Sequence, residues 1–507
     1  GRRPATPPRR IARTLSHCVP GAASALVADA GVAAAERLAR PGRHRQQDHA
    51  LPDTMPFPAA TETPAEALAA LRAVAARNGA LPPDRRRDLL RALAAVLLRR
   101  AGDVAAAIDA DYGGRCIEDS LLAEVKLVVD AARHSAGRLH RWARPRRAGV
   151  PFPFLPTRAA VEPVPKGIVG IMAPWNYPLQ LALLPAVDAV AAGNRVAIKP
   201  AEATPRTAAL LTDLLAECWG KDIARVVQGG PDIAADFAAQ PWDHLVFTGG
   251  TETGRKVMQA AAANLVPLTL ELGGKCPALV LPGADLAAAA RAIMAGKAIN
   301  AGQTCIAPDT VLLVGHAPAA FEAACRATGL GLPETAVVND RQAARLDALC
   351  QGVALTPLAP SGPGRFRAIA LAAAAPDHPI HQTEVFGPVL PVQPLSDLGA
   401  AIAWVAARPP PLAIYLFGAT AEEEAQVAAG TRSGAIVAGR CVEYAAFPDL
   451  PFGGIGASGF GRRNGEAGFR EFSLLRARVT HARWGLARLL DPPRTARGRA
   501  LIRRILR

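Results

Sequence analysis

The chain of 507 residues lacks several features that mark particular classes of protein. No run of about 18 uncharged apolar residues occurs, which argues against a membrane span. Its eight cysteines include no Cys-x-x-Cys pair, and no secretory signal is recognisable, so a zinc ribbon or a thiol-exchange motif is not indicated. We therefore expect reduced cysteines and a cytoplasmic protein.

Aromatic residues are also scarce, at 5% of the sequence, whereas hydrophobic residues reach 50%. That content is enough for one large core or for two to three domains. His378 and His381 lie three residues apart, but no nearby partner completes a metal site, so no metal is predicted. No internal repeat is present.

The formal net charge of +15 is concentrated at the two ends of the chain. Residues 1–54 carry +5 and residues 483–507 carry +7, which leaves only +3 for the rest. A basic groove for nucleic acid is therefore not implied.

Both basic ends have more than one interpretation. Residues 1–54 mix Pro, Arg and Ala without an apolar period and are predicted to be a disordered tail. We favour an extension upstream of Met55 over an arginine-rich targeting peptide. Residues 494–507 have the pattern of a basic amphipathic helix, for which a solvated tail is favoured over contact with a lipid surface.

The patterning from Pro64 onward predicts helices, followed by alternating strands and helices. Ala and Leu recur at helical spacing after Pro64, and 120–145 is predicted as one long amphipathic helix stopped by Pro145. The proline-studded stretch that follows favours an edge hairpin. After Gly167, short apolar strands such as GIVGIMAP and RVAIKP alternate with helices, and a second such series is predicted from LTLELGG onward. This alternation predicts an α/β fold with two parallel, doubly wound domains.

Several polar residues follow predicted strands, at the edge where such sheets bind ligands. The stretch DHLVFTGGTETGRKVM predicts a strand, a turn and a helix, and is compatible equally with a phosphate site and with a plain tight turn. Lys199 and Glu202 have the chemistry to bind ribose hydroxyls or to form a solvated loop pair. Asn176 in WNYP has the chemistry of a fixed hydrogen-bond donor, although turn formation alone would explain it.

Two further residues are candidates for catalysis. Glu271 lies in an apolar strand before two glycines, which suits a general base with a raised pKa or a carboxylate satisfied by backbone N–H groups. Cys305 lies in a turn of small residues, in AGQTCIAPD, and is compatible with a buried filler, a redox thiol or an activated nucleophile.

Seven ordered motifs together resemble the aldehyde dehydrogenase superfamily. They are PWNYP, AIKPAEATP, FTGGTETG, LELGGKCP, AGQTCIAPD, EVFGPVLPV and LPFGGIGASGFGRRNGEAGFREFS. Their order and spacing match that family from about residue 64 to 480, and the sequence is most similar to coniferyl aldehyde dehydrogenases, which are neighbours of the class 3 enzymes.

The resemblance implies a fold with a Rossmann-type NAD-binding domain, an α/β catalytic domain and a β-hairpin oligomerisation arm. The boundaries that it implies are 55–272 for the NAD-binding domain with the arm at 146–164, 273–439 for the catalytic domain, 440–480 for a return to the first domain with an oligomerisation strand, and 481–507 for the basic tail. A homodimer or other homo-oligomer is expected.

The resemblance also implies roles for the candidate residues. Cys305 would be the nucleophile and Glu271 the general base, with Asn176 and the Cys305 backbone N–H as the oxyanion hole. The cofactor residues that it implies are Lys199 and Glu202 at the adenosine ribose, the 249–254 turn with Gly249, Gly250, Thr251 and Gly254 at the pyrophosphate, Glu384 at the nicotinamide ribose, and Phe386 as a further contact.

The implied reaction is oxidation of an aromatic or medium-chain apolar aldehyde to its carboxylic acid. Glu202 favours NAD over NADP because a carboxylate repels a 2'-phosphate, although dual use is not excluded. The segments 315–380 and 436–444 depart from the family pattern, so substrate choice is not transferred. The alternative hypothesis is a catalytically impaired relative that serves as a binding or structural protein.

Overall fold

The structure is a computed structural model that describes residues 62–506. The tail predicted over residues 1–54 lies outside the described residues. Within residues 62–506, no helix combines the length and apolar character needed to cross a bilayer.

The helical patterning after Pro64 is confirmed. The first helix begins with a capping box, in which Glu66 N donates to Thr63 Oγ1 at 3.2 Å and Thr63 N donates to Glu66 Oε2 at 2.8 Å. It ends at Gly79, whose positive φ of 65° suits glycine. The helices of this region span Pro64–Asn78, Pro83–Arg99, Ala101–Tyr112 and Leu127–Trp142.

The single helix predicted over 120–145 is wrong in its first turns. Ser120–Lys126 forms a π-helix, and the α-helix runs from Leu127 to Trp142, ahead of Pro145. The hydrophobic period cannot distinguish these two helix types because both bury one face. The wider π-helical turn carries Glu124, whose side chain is fully buried.

The first sheet has six strands and confirms the predicted alternation of strands and helices. Five strands are parallel, and the edge strand Gly459–Phe460 is antiparallel to its neighbour. The order across the sheet is Gly459–Phe460, Leu268–Leu272, His244–Gly249, Ile168–Met172, Arg195–Lys199 and Ala224–Val226. The connecting helices are Gln180–Ala192, Pro205–Cys218, Pro231–Ala239 and Thr251–Ala262.

The second sheet has seven strands, and it corrects one prediction. Leu268–Leu272 was expected to begin the second series, but it pairs in parallel with His244–Gly249 in the first sheet. The second sheet begins after Gly273 and Gly274. Its order is Ala354–Pro357, Ala370–Ala373, Val389–Leu395, Thr310–Val314, Pro277–Val280, Ala413–Phe417 and Ala435–Ala438, and only the first of these strands is antiparallel. Its helices are Leu286–Ala298, Pro318–Ala327, Asp340–Leu349, Leu398–Ala406 and Ala421–Gly430.

A third, three-stranded sheet contains the predicted hairpin. Arg146–Ala148 and Arg158–Pro165 are antiparallel, and Ser473–Thr480 pairs with the second of them. The last strand leaves Leu474, Leu475 and Val479 each 53% exposed. The role of this sheet in oligomerisation stays a prediction. Near the chain's end, Ala496–Ile505 is helical, within the segment predicted to be so.

The largest apolar cluster packs the N-terminal helices against the first sheet. Leu93 and Leu98 lie on the same helix, but Leu93 is fully buried in that cluster, whereas Leu98 is 46% exposed. Truncating Leu93 removes buried apolar contacts and leaves a cavity.

We expect Leu93→Ala to lower the free energy of unfolding by about 2–5 kcal/mol. Leu98→Ala, the control on the same helix, should change it by less than about 0.5 kcal/mol. Urea unfolding followed by circular dichroism measures both. Equal losses would contradict the placement of this helix against the sheet.

Candidate active site

The three predicted catalytic residues line a single cavity. Asn176, Glu271 and Cys305 surround a volume of about 270 Å³, although they are far apart in the sequence. Other lining residues are Pro174, Trp175, Leu181, Thr248, Gly249, Gly250, Leu272, Gly273, Gln342, Arg345, Glu384 and Phe386. The structure therefore brings the nucleophile, base and donor candidates to one open cavity between the two large sheets.

The turn before Cys305 has an unusual backbone. Asn300 and Ala301 both have φ of 52°, and Gly302 has φ of 70°. Such conformations are costly for residues other than glycine and persist only where the surroundings enforce them. A Cβ on Gly302 would lie 2.4 Å from the carbonyl oxygen of Gly387, so this position requires glycine. This reversal directs Cys305, which is half-buried, toward the cavity.

Gln303 holds this turn in place through its side chain. Its Nε2 donates to the carbonyl oxygens of Asn300 and Ala336 at 3.0 and 3.1 Å, and Val338 N donates to its Oε1 at 2.9 Å. The side chain is fully buried, so loss of these bonds would leave unsatisfied polar groups. Sequence reasoning did not single out this residue, although it lies within AGQTC.

The environment of Cys305 opposes ionisation of its thiol. Burial, followed by the carboxylates of Glu384 and Glu271, raises the pKa of Cys305 to about 12. The resting sulfur is therefore a thiol at neutral pH. Any nucleophilic role requires that the proton leave as the sulfur reacts.

Asn176 is a fixed donor beside this turn. Its side chain is buried, and its Nδ2 donates to Gln303 O at 3.0 Å. The backbone carbonyl oxygen of Asn176 accepts hydrogen bonds from Tyr112 Oη at 3.0 Å, Arg115 Nη1 at 3.0 Å and Asn300 Nδ2 at 2.9 Å. An amide carries two N–H hydrogens, so the second remains to act on a ligand.

A buried ion pair supports Asn176 from behind. Arg115 Nη1 lies 3.1 Å from Glu124 Oε1, and both side chains are fully buried. Glu124 Oε2 accepts hydrogen bonds from Leu179 N at 3.0 Å and Gln180 N at 2.8 Å, where the next helix begins. Burial raises the pKa of Glu124, and Arg115 opposes that effect. The π-helical turn therefore links the first helices to the WNYP turn.

Glu271 lies in the strand Leu268–Leu272 and is 3% exposed. Neither of its carboxylate oxygens has a hydrogen-bond partner within the described part of the chain, and Arg463 Nε lies 3.5 Å from Oε1. Burial raises the pKa of Glu271 to about 7, while Arg463 opposes this shift. A carboxyl group with this pKa can accept and release a proton near neutral pH.

The predicted phosphate turn is shorter than expected. Gly249 ends a strand, Gly250 precedes a helix without a side-chain cap, and Thr251 is the first helical residue. The first N–H groups of that helix are therefore not capped by the side chain at its start, which suits an anion-binding position. Gly254 lies inside the helix rather than in the turn. A Cβ added at Gly254 would lie 2.5 Å from Leu272 Cδ2, which indicates close packing between the helix and the strand.

Lys199 and Glu202 meet at the end of the strand Arg195–Lys199. Lys199 Nζ lies 3.5 Å from Glu202 Oε2 and donates to Pro200 O at 3.0 Å. Lys199 is buried, and burial lowers its pKa, whereas Glu202 remains half-exposed. Glu202 lines a small depression together with Pro200, Ala201, Pro205, Ala208, Gln228 and Gly229.

The loop with Glu384 and Phe386 is held by Arg345. Arg345 Nη2 donates to Val385 O at 2.6 Å and to Phe386 O at 3.3 Å. Phe386 has φ of 48° and meets Trp175 edge-on, with 5.4 Å between ring centroids. Arg345 also lines the cavity, and sequence reasoning assigned it no role. The signal that could have identified it is the family-like segment VVNDRQAARL, which contains it.

The carboxyl group of Glu384 packs against Gly273. A Cβ on Gly273 would lie 2.1 Å from Glu384 Oε2, so a side chain there would displace the carboxyl group. Burial and the nearby Asp309 raise the pKa of Glu384 to about 8. Two carboxyl groups of raised pKa therefore lie around the Cys305 thiol.

Comparisons with known proteins agree with this fold. The profile of the aldehyde dehydrogenase family matches residues 54–477. The chain is 40% identical to the probable coniferyl aldehyde dehydrogenase of Pseudomonas aeruginosa, over 80% of this chain and 88% of that relative. It is 38% identical to the coniferyl aldehyde dehydrogenase of a Pseudomonas species, over 75% and 82% of the two chains.

Solved structures give the same answer for the fold. A substrate-bound AldH of Staphylococcus aureus superposes with a TM-score of 0.81 at 28% identity, over 87% of this chain and 99% of that one. Betaine aldehyde dehydrogenase of the same species, in complex with NAD+, gives a TM-score of 0.76 at 25% identity, over 83% and 88%.

The α/β fold and the family match together indicate an oxidoreductase that uses a nicotinamide cofactor. The chain belongs to the aldehyde dehydrogenase family, and it is an enzyme that oxidises aldehydes.

The ion pair of Arg115 and Glu124 predicts a large effect on stability. Arg115→Met leaves the Glu124 carboxylate buried without its partner, so we expect a loss of about 3–5 kcal/mol in the free energy of unfolding. The double variant Arg115→Met/Glu124→Leu should recover part of it.

Arg100→Met serves as the control because Arg100 pairs with Asp103 at the surface, at 2.7 Å. Its expected loss is at most about 1 kcal/mol. Urea unfolding of the four proteins measures these differences. A double variant less stable than Arg115→Met would contradict the prediction.

Proposed function

We propose that the enzyme oxidises an aromatic or medium-chain apolar aldehyde to the carboxylic acid, with NAD as cofactor and Cys305 as nucleophile. The observation that carries this proposal is the convergence of Cys305, Asn176 and Glu271 on one cavity. The same three residues carry the family's implied chemistry. A catalytically impaired relative would not require Glu271 as a base with a pKa near neutrality.

The residues present fit a nicotinamide dinucleotide. The uncapped helix after Gly250 offers backbone N–H groups to a pyrophosphate, and Lys199 with Glu202 offers a donor and an acceptor to the adenosine ribose. Glu384 would hold the nicotinamide ribose, with Phe386 beside it. When bound, the dinucleotide supplies the acceptor for the hydride of the substrate.

Addition to the aldehyde is the step that uses Cys305 and Asn176. Because the pKa of about 12 keeps the resting thiol protonated, its proton passes to solvent as the sulfur adds to the carbonyl carbon. The second Asn176 N–H and the Cys305 backbone N–H would stabilise the negative oxygen that forms. The hydrogen bond from Asn176 to Gln303 fixes the amide before the substrate arrives.

Loss of the aldehyde hydrogen as hydride to a bound dinucleotide would convert this adduct into a Cys305 thioester. Hydrolysis of that thioester is the step that uses Glu271. The carboxylate takes a proton from water, which attacks the thioester and releases the acid. Because only the deprotonated carboxylate is a base and its pKa is about 7, hydrolysis should be fast above that pH. The rate should fall as the pH decreases through it.

The lining of the cavity supports the proposed substrate class. It includes the rings of Trp175 and Phe386, which meet edge-on with 5.4 Å between centroids, and the apolar side chains of Leu181 and Leu272. Flat apolar surfaces of this kind favour an aromatic aldehyde over a small hydrophilic one. The two Pseudomonas relatives are named for coniferyl aldehyde, which is aromatic.

The kinetic test of this proposal uses coniferaldehyde with NAD. Cys305→Ala should abolish NADH formation, whereas Cys350→Ala, a control at another half-buried thiol, should retain it. Asn176→Ala should lower kcat by about 100- to 1,000-fold because one oxyanion donor is lost. Activity in Cys305→Ala, or equal kcat/KM for coniferaldehyde and acetaldehyde, would refute the corresponding part.

Glu271→Gln separates the two chemical steps. Loss of the base should block thioester hydrolysis after the first oxidation, so we expect a burst of about one NADH per active site followed by a slow phase. Stopped-flow absorbance at neutral pH measures the burst. A variant that continues at the rate of the wild type would exclude Glu271 as the base.

The cofactor choice is tested at Glu202. The negative charge should disfavour a 2'-phosphate, so the wild type should have a higher kcat/KM with NAD than with NADP. Glu202→Gln should lower the ratio of kcat/KM with NAD to kcat/KM with NADP, mainly because the KM for NADP decreases. A ratio that is unchanged would show that another residue determines the preference.

A further inference from the structure

Arg463 is a buried cation that contacts the proposed base. Its guanidinium Nε lies 3.5 Å from Glu271 Oε1, and the two side chains are 2% and 3% exposed. Within the described residues, Arg463 Nε and Nη1 have no hydrogen-bond partner. Burying a cation in this way is costly unless a charge compensates it. The carboxylate of Glu271 is that charge.

The backbone around Arg463 fixes this contact. The edge strand Gly459–Phe460 is in register with the strand of the base, with Gly459 opposite Glu271. Arg463 then pairs with Phe452, since Arg463 N donates to Phe452 O at 2.8 Å and Phe452 N donates to Arg463 O at 3.0 Å. The guanidinium carbon lies 5.1 Å from the centre of the Phe452 ring. The side chain is therefore held on one side by an aromatic face.

Other charged groups face this pair. Arg462 lowers and Glu471 raises the pKa of Glu271, and the Cys305 thiol lies nearby. A second buried carboxyl group near Arg463 is that of Asp188, whose Oδ2 accepts a hydrogen bond from Asn464 N at 3.0 Å. Burial raises the pKa of Asp188 to about 7, and Arg463 opposes that rise. Arg463 thus acts on two buried carboxyl groups, and its ion pair is with Glu271.

We propose that Arg463 is a positioning residue that keeps the Glu271 carboxylate deprotonated and oriented, so that the enzyme hydrolyses its thioester at neutral rather than alkaline pH. This inference rests on the proposed function of Glu271. It assigns to Arg463 a role through the base and no contact with substrate.

The contribution of Arg462 provides an internal comparison. Arg462 is the neighbour in sequence and carries the same charge, but its Nη1 donates to the carbonyl oxygens of Gly454 and Gly461, each at 2.7 Å. Its guanidinium is therefore bound to backbone, and it makes no ion pair with Glu271 within the described residues. A neutral substitution at each of the two positions therefore separates the effect of the ion pair with Glu271 from the longer-range effect of a positive charge.

The test measures thioester hydrolysis without dinucleotide. An excess of enzyme reacts with p-nitrophenyl acetate: the Cys305 sulfur forms a bond to the acetyl carbon, p-nitrophenolate leaves, and the thiol proton passes to solvent. Water then cleaves the thioester to acetate and regenerates the thiol. Intact-protein mass spectrometry follows the loss of the acetyl group from acidic to alkaline pH, and Cys305→Ala is the blank.

We expect the wild-type rate to fall as pH decreases through about 7, in line with Glu271. In Arg463→Met the fall should move to higher pH by about one unit, which is roughly a tenfold loss at neutral pH with recovery in alkaline buffer. Arg463→Lys should remain near the wild type because it keeps the charge. Arg462→Met should shift the profile less than Arg463→Met.

A double-mutant comparison links the effect to the base. In a Glu271→Gln background, Arg463→Met should cause no further change in the pH profile, since the titrating group is gone. If Arg463→Met does not fold, as judged by circular dichroism, Arg463→Gln takes its place.

Three results would overturn the inference: an unshifted profile in the folded neutral variant of Arg463, an equal or larger shift in Arg462→Met, or a shift that persists with Glu271→Gln. If both neutral variants fail to fold while Arg463→Lys folds with an unshifted profile, the charge is shown to be structural and the inference also fails. Wild-type protein that acquires no acetyl group on Cys305 would instead refute the proposed function itself.

Discussion

Burial of ionisable groups around one cavity is the constraint on which the site depends. Cys305, Glu271 and Glu384 all have pKa values raised by burial, to about 12, 7 and 8. In such a medium, each group's charge state is determined by its nearest partners rather than by water. Arg463 beside Glu271 and the fixed Asn176 amide beside the Cys305 turn therefore determine where negative charge can develop.

Rigid backbone is what makes those few partners sufficient. The turn before Cys305 has three successive residues with positive φ, and the buried side chain of Gln303 secures it. On the opposite side, the carbonyl of Asn176 accepts three hydrogen bonds. The energy of folding thus maintains strained and desolvated groups in place before any ligand binds.

Much of the fold could be predicted from the sequence because its signals are local. The alternation of apolar strands with helices predicted both large sheets. The polar and glycine residues at the strand ends made Asn176, Lys199, Glu202 and Gly249 candidates for the site. Cys305 and Glu271 came together through motif order rather than through any local rule. The π-helical turn was not predicted because its pattern of apolar residues resembles that of an α-helix.

The rest of the site depends on long-range register. Gly254 looked like part of a phosphate turn, and only the neighbouring strand with Leu272 reveals its packing. Arg115, Arg345 and Arg463 are three arginines among many in a basic chain. Apart from the family-like segment around Arg345, no spacing in the sequence distinguishes these arginines from solvated ones, because each meets its partner through the tertiary fold.

The edge strand Gly459–Phe460 has a consequence for the order in which the enzyme matures. It comes from the late part of the chain, yet it completes the sheet that holds Glu271. While the ribosome is still translating the second sheet, the first sheet lacks its edge strand and the Glu271 carboxylate lacks Arg463. Hydrolysis at this centre must therefore await synthesis of almost the entire polypeptide.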